Sequence, residues 1–131
     1  MSGRIVHFEI PFDDGNRARG FYKDAFGWNV MEMADMGYTM VTSGPTTDEG
    51  MPSEPGFING GMFQRDDDPS TPRSPMITVD VESIDAALEK IEKLGGKTVV
   101  GRTPVAEMGF SAYFSDPEGN LMGLWETAQQ G

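Results

Sequence analysis

The sequence predicts an α+β fold in which one β-α-β-β-β unit is used twice, and three observations lead there. The order of strand-like and helix-like segments starts again after residue 75. Equivalent residues recur at one offset: His7 and Met76, Asp14 and Ser83, Ala18 and Ala87, and Gly27 and Gly96 are each 69 positions apart. A chain of 131 residues without cysteine is long enough to bury a core as a single domain, with no disulfide or zinc–thiolate staple. The two modules cover about 4–64 and 75–127, joined by a linker over 65–75. Units of this length, present only twice, do not make a solenoid. Pairing their sheets gives a curved mixed sheet with flanking helices, half-open around a small-molecule pocket.

In the first module, Ile5 to Ile10 alternates as a strand, with Val6, Phe8 and Ile10 on one side and Ile5, His7 and Glu9 on the other. Asp14 or Asn16 caps a helix that runs to Phe26. Its Ala18, Phe21, Tyr22, Ala25 and Phe26 fall on one helical face, and Gly27 stops it. Trp28 to Met33 and Tyr38 to Thr42 form a hairpin around Asp35-Met36-Gly37. Gly44 to Gly56 is an irregular loop, either filler or a lid. Phe57 to Phe63 is a fourth strand whose Asn59, Gly60 and Gly61 mark a bulge or a close approach.

The second module repeats this order. Met76 to Val81 is a strand, and Ser83 caps a helix to Leu94 with Ile84, Ala87, Leu88 and Ile91 inward. Gly95-Gly96 ends the helix, and strands follow at Lys97 to Arg102, Phe110 to Ser115 and Leu121 to Glu126. The last two are joined by a turn at Asp116-Pro117-Glu118-Gly119-Asn120.

Composition removes several function classes. With 10 basic and 21 acidic residues the net charge is -11, which argues against nucleic acid and favours a cationic ligand or partner. No apolar run reaches the length of a membrane span and no secretory signal is visible, so a cytoplasmic protein is expected, without membrane partners. Asp66-Asp67-Asp68 lacks the spaced oxygens and bidentate glutamate of a calcium loop and reads as a solvated linker. Gly96-Lys97-Thr98 has Ile91 where a P-loop needs glycine, and it leads from helix to strand, the reverse of the required context. Ser43, Ser111 and Ser115 lie in no nucleophile elbow.

The run His7-Phe8-Glu9-Ile10-Pro11, then Asp14, Ala18, Phe21-Tyr22 and Phe26-Gly27-Trp28, resembles the opening of the vicinal oxygen chelate superfamily. Phe114-Ser115-Asp116-Pro117-Glu118-Gly119-Asn120 resembles its late turn. The superfamily includes glyoxalase I, fosfomycin-resistance enzymes, extradiol dioxygenases and bleomycin-binding proteins. The resemblance spans Ile5 to Glu126. It implies a glyoxalase-like half-open barrel with a ligand on its concave face, usually beside a divalent metal, and a homodimer. It speaks to architecture more than to reaction.

That resemblance also implies where metal ligands would stand: on the first and last strands of each module. The first-strand positions fall on His7 and Met76. The last-strand ligand is usually a glutamate seven residues after the aspartate of the turn, which here is Gly123. The matching strand of the first module carries Asn59, Gly60 and Gly61. One donor, His7, is retained, whereas a divalent metal needs three or more. No cofactor is therefore expected, and a divalent metal is disfavoured. Glu126 stands three residues from Gly123 and so on the opposite face.

His7 is the sole histidine, and Glu9 shares its face. They are the candidate catalytic pair, with an imidazole suited to proton transfer and a carboxylate to orient it or act as base. The ligand positions that the resemblance implies make Asn59, Gly61, Met76 and Gly123 candidate ligand-binding residues, and alternation adds Thr78 and Trp125, with Leu121, Tyr38, Met40 and Met62 as further wall positions. Three functions are compatible with these residues. The first is a metal-independent binding protein for a small, cationic or aromatic molecule. The second is a glyoxalase-type lyase or isomerase that uses His7 and Glu9, with or without an atypically bound metal. The third is an accessory or structural dimer.

Overall fold

The computed structural model describes residues 3–128, which fold as two compact units: one from His7–Pro75, the other from residues 3–6 with 76–128. Each carries one β-α-β-β-β run. Its strands are β1 (Ile5–Phe12), β2 (Asn29–Met33), β3 (Tyr38–Thr42) and β4 (Gly60–Gln64) in the first run, with helix α1 (Gly15–Phe26) after β1. The second run has β5 (Met76–Asp80), helix α2 (Ile84–Lys93), β6 (Lys97–Val105), β7 (Gly109–Ser115) and β8 (Leu121–Thr127). No helix among the described residues is long and apolar enough to cross a membrane.

The repeat seen in the sequence is a repeat of topology. In the first unit the strand order is β2-β3-β4-β1, with β1 and β4 parallel and the other neighbours antiparallel. In the second it is β6-β7-β8-β5, with β5 and β8 parallel. In both, the first strand lies beside the last, so a residue on one faces a fixed residue on the other. Glu9 stands opposite Gly61, and Thr78 stands opposite Gly123. The chain start belongs to the second unit: the Gly3 amide donates to the Asp80 carbonyl at 2.6 Å, and the Asp80 amide to the Arg4 carbonyl at 2.8 Å.

The two helices start alike and pack differently. Asp14 accepts from the Arg17 amide and Ser83 from the Ala86 amide, each satisfying a free N–H of the first turn. Helix α2 then buries its apolar face: Ile84 and Leu88 join Ala112 and Leu124, with Ala87, Ile91, Phe110 and Phe114 packed around them. Helix α1 buries no residue. Its Phe21 and Phe26 are 59% and 62% exposed. The aromatic face makes a local cluster instead, with Tyr22 stacked on Trp28 at 5.2 Å and Phe26 at 5.5 Å from the same indole. The largest fully buried side chains of the first unit, Thr39, Val41 and Met62, are on its strands.

Several boundaries differ from expectation for identifiable reasons. The fourth strand begins at Gly60, not Phe57. Residues 57–59 serve the preceding loop: the Phe57 ring covers Gly44, and Asn59 accepts from the Ser43 amide and donates to the Gly50 carbonyl. The hairpin turn at 34–36 is a single 3₁₀ turn. Strand β6 runs through Pro104 to Val105 instead of stopping at Arg102. It is the outermost strand of its unit, where proline removes no ladder bond, and its pairing with β7 shifts register twice.

Candidate functional site

The parallel β1–β4 pair sets the site of the first unit. Alternation places His7 and Glu9 on one face of β1, and the register sets Glu9 beside Gly61. Across the antiparallel β3–β4 pair Met40 stands opposite Gly61, so Tyr38, two residues earlier, leans over Gly61 diagonally on that face. Any Cβ on residue 61 would overlap the Tyr38 hydroxyl. The missing side chain of Gly61 is the space in which the phenol sits.

That phenol joins the two candidate catalytic residues. The Tyr38 hydroxyl donates to Glu9 Oε2 at 3.0 Å and lies 3.0 Å from His7 Nε2. His7 Nε2 and Glu9 Oε2 are 3.5 Å apart. The His7 side chain is 32% exposed and that of Glu9 14%, so the imidazole is the more accessible of the two. Chemically this is one acceptor-rich cluster with a shared hydroxyl, able to hold a hydrogen-bonding ligand or to relay a proton.

The second unit repeats the geometry with different chemistry. Met76 and Thr78 occupy on β5 the places of His7 and Glu9 on β1, and Thr78 stands opposite Gly123. A Cβ on residue 123 would lie 2.6 Å from Thr78 Oγ1 and 3.1 Å from Met76 Cε. Both Met76 and Thr78 are buried. Ser111 stands opposite Trp125, as Tyr38 stands opposite Phe63, so a serine fills the equivalent of the tyrosine position. Trp125 lies against Gly109, and its indole N–H donates to Thr127 Oγ1 at 3.1 Å.

Of the remaining expected residues, Asn59 is spent on the loop, its side chain bonded to Ser43 and Gly50. Met62 is fully buried on the other face of β4. Glu126 is on the helix side of β8, as its spacing from Gly123 requires. It accepts from the Ile84 amide at 2.8 Å, adding to the α2 cap, and from Arg102 Nη2 at 2.8 Å. The Arg102 guanidinium, followed by the Ile84 amide, holds its carboxyl below the usual glutamate range. Asp116 is likewise lowered by the Asn120 side chain and backbone within the late turn. Tyr38 is the member of this network that the sequence marks least clearly. Its signal is Gly61, a glycine in mid-strand, but the diagonal neighbour filling it depends on the β3–β4 register.

The donor set does not fit the superfamily's divalent metal. Neither last-strand position carries a donor, and the Tyr38 phenol fills the space that a side chain on residue 61 would use. No group of three or more His, Cys, Asp or Glu residues is assembled among the described residues. A groove of about 530 Å³ in the first unit lies beside the network and not over it. Tyr38 lines it but His7 and Glu9 do not. Its charged group Arg19 is engaged with Thr39, Asn16 and Glu32. We therefore place the site by the polar network rather than by cavity size.

Comparisons with known proteins agree with this fold. A family model described as bleomycin resistance protein-like N-terminal matches residues 4–44. A Mycobacterium tuberculosis protein named "Putative glyoxylase CFP32" is 25% identical over 123 residues, covering 90% of this chain and 43% of its own length. The chain thus spans less than half of that curated relative. Among solved structures, methylmalonyl-CoA epimerase from Mycobacterium tuberculosis matches with a TM-score of 0.65 at 18% identity. The match covers 97% of this chain and 89% of that one. A glyoxalase/bleomycin resistance protein/dioxygenase superfamily member from Vibrio splendidus matches with a TM-score of 0.61 at 14% identity, covering 95% and 98%. These structural likenesses establish the glyoxalase-like fold.

Proposed function

We propose that the chain is a member of the vicinal oxygen chelate superfamily that binds a small organic molecule without the superfamily's divalent metal. One observation carries this reading: the Tyr38 hydroxyl occupies the place of a side chain on Gly61 and bonds both His7 and Glu9. The first unit keeps its polar face and closes its metal position with its own phenol. Met76 and Thr78 over Gly123 put a thioether and a hydroxyl, both buried, on the matching face of the second unit. The net charge of -11 favours a cationic ligand, and the partly exposed imidazole is its point of contact.

The test is a thermal-shift screen weighted toward cationic aromatic and glycopeptide compounds. A binder raises the melting temperature, since it stabilises the native state alone, and His7→Ala abolishes the shift. Failure of every compound at saturating concentration contradicts the proposal. A second reading, a metal-independent lyase, isomerase or epimerase, is favoured by the same network, because a hydroxyl between an imidazole and a carboxylate can move a proton. Turnover of the glutathione hemithioacetal of methylglyoxal, lost in His7→Ala and Glu9→Gln, would establish it. Absence of turnover alongside a thermal shift supports binding alone.

A further inference from the structure

We infer that Tyr38 is a positioning residue that fixes the tautomer of His7, and that the site therefore recognises a hydrogen-bond donor, a cationic ammonium group above all. A count of protons leads there. A phenol has one proton, and Tyr38 gives it to Glu9 Oε2. An ionised carboxylate only accepts, so this direction is the one open to it. The contact of 3.0 Å between Tyr38 and His7 Nε2 must then be made by a proton on Nε2. In the neutral ring that leaves Nδ1 as the lone pair. The half-exposed ring thus offers a ligand an acceptor nitrogen, next to a carboxylate, in a protein of net charge -11. A ligand carboxylate would meet a lone pair and like charge; an ammonium N–H meets both favourably.

The ligand half of this inference rests on the binding reading above, whereas the tautomer can be measured with no ligand present. His7 is the only histidine, so a ¹⁵N-labelled sample gives one unambiguous pair of ring nitrogens. At a pH where the ring is neutral, Nε2 is expected to show the protonated-type shift and Nδ1 the lone-pair type. The Nε2 proton should be protected from exchange, and Tyr38→Phe should remove that protection. Proton on Nδ1, or an unprotected Nε2 proton in the wild type, overturns the positioning role while leaving ligand binding to stand on its thermal shift. Benzylammonium and benzoate, matched in shape, then test polarity. Benzylammonium at millimolar concentration should move the Nδ1 signal, and Tyr38→Phe should weaken its binding by about fivefold, the loss of one hydrogen bond. Preference for benzoate overturns the donor assignment. A protected Nε2 proton with no response to either probe keeps the tautomer and sinks the ligand class.

Discussion

Tyr38 and Gly61 are one unit of structure. Gly61→Ala forces the phenol off Glu9 and His7, and overpacking of this kind costs about 1–3 kcal/mol. In a Tyr38→Ala background the obstruction is gone, so the same substitution should be nearly neutral. Urea unfolding of the four proteins of this cycle measures the difference, and equal costs in both backgrounds would refute the coupling. Glu126 gives a second test at this scale. Its folded-state pKa lies below the ordinary 4.5 because of Arg102 and the Ile84 amide. Its stabilisation is therefore full above that ordinary value and is lost as pH falls through the lowered one. Glu126→Gln should flatten the acid limb of a stability–pH curve relative to wild type while lowering stability at neutral pH. Strand alternation alone puts His7 and Glu9 on one face, so that pair is legible in the sequence. Tyr38 is legible only as a wall position, because nothing local to residues 38–42 says which strand borders the outer edge of their hairpin or in what register.

The two helices look equivalent as sequence and are not equivalent in packing. Both have a capped start and an apolar face at helical spacing, but only α2 sits on a core. Leu88→Ala should cost about 2–5 kcal/mol in unfolding free energy, a buried leucine truncation. Phe21→Ala, at an exposed position, should change stability by no more than about 0.5 kcal/mol. Comparable losses at the two sites would contradict this asymmetry. Periodicity predicts a face for each helix; it does not say what covers that face, which is a property of the strands beneath. Other elements are legible where turn chemistry is local: Asp14 and Ser83 as caps, and the turn after Asp116. Expectation fails where a neighbour decides. Composition makes Phe57–Asn59 a strand, yet these residues are bound to the loop. Pro104 reads as lying beyond a strand, yet an outer strand tolerates it.

At the scale of the molecule, the duplication is visible both in sequence and in topology, yet the copies have diverged in chemistry. The first unit keeps a histidine, a carboxylate and a phenol over Gly61; the second sets a methionine and a threonine over Gly123. The glyoxalase-like fold is readable from the opening run and the late turn, because those residues form strand, cap and turn. The content of the site is readable only as a shortage of donors at the expected ligand positions. That Tyr38 fills the vacated space comes from the fold. The proposal that this face serves an organic ligand, not a metal, is decided by calorimetric titration of chelator-free protein with zinc, manganese and nickel, with ¹⁵N observation of His7. No saturable one-to-one binding and no change at the imidazole are expected; a stoichiometric ion coordinated by His7 would contradict the proposal.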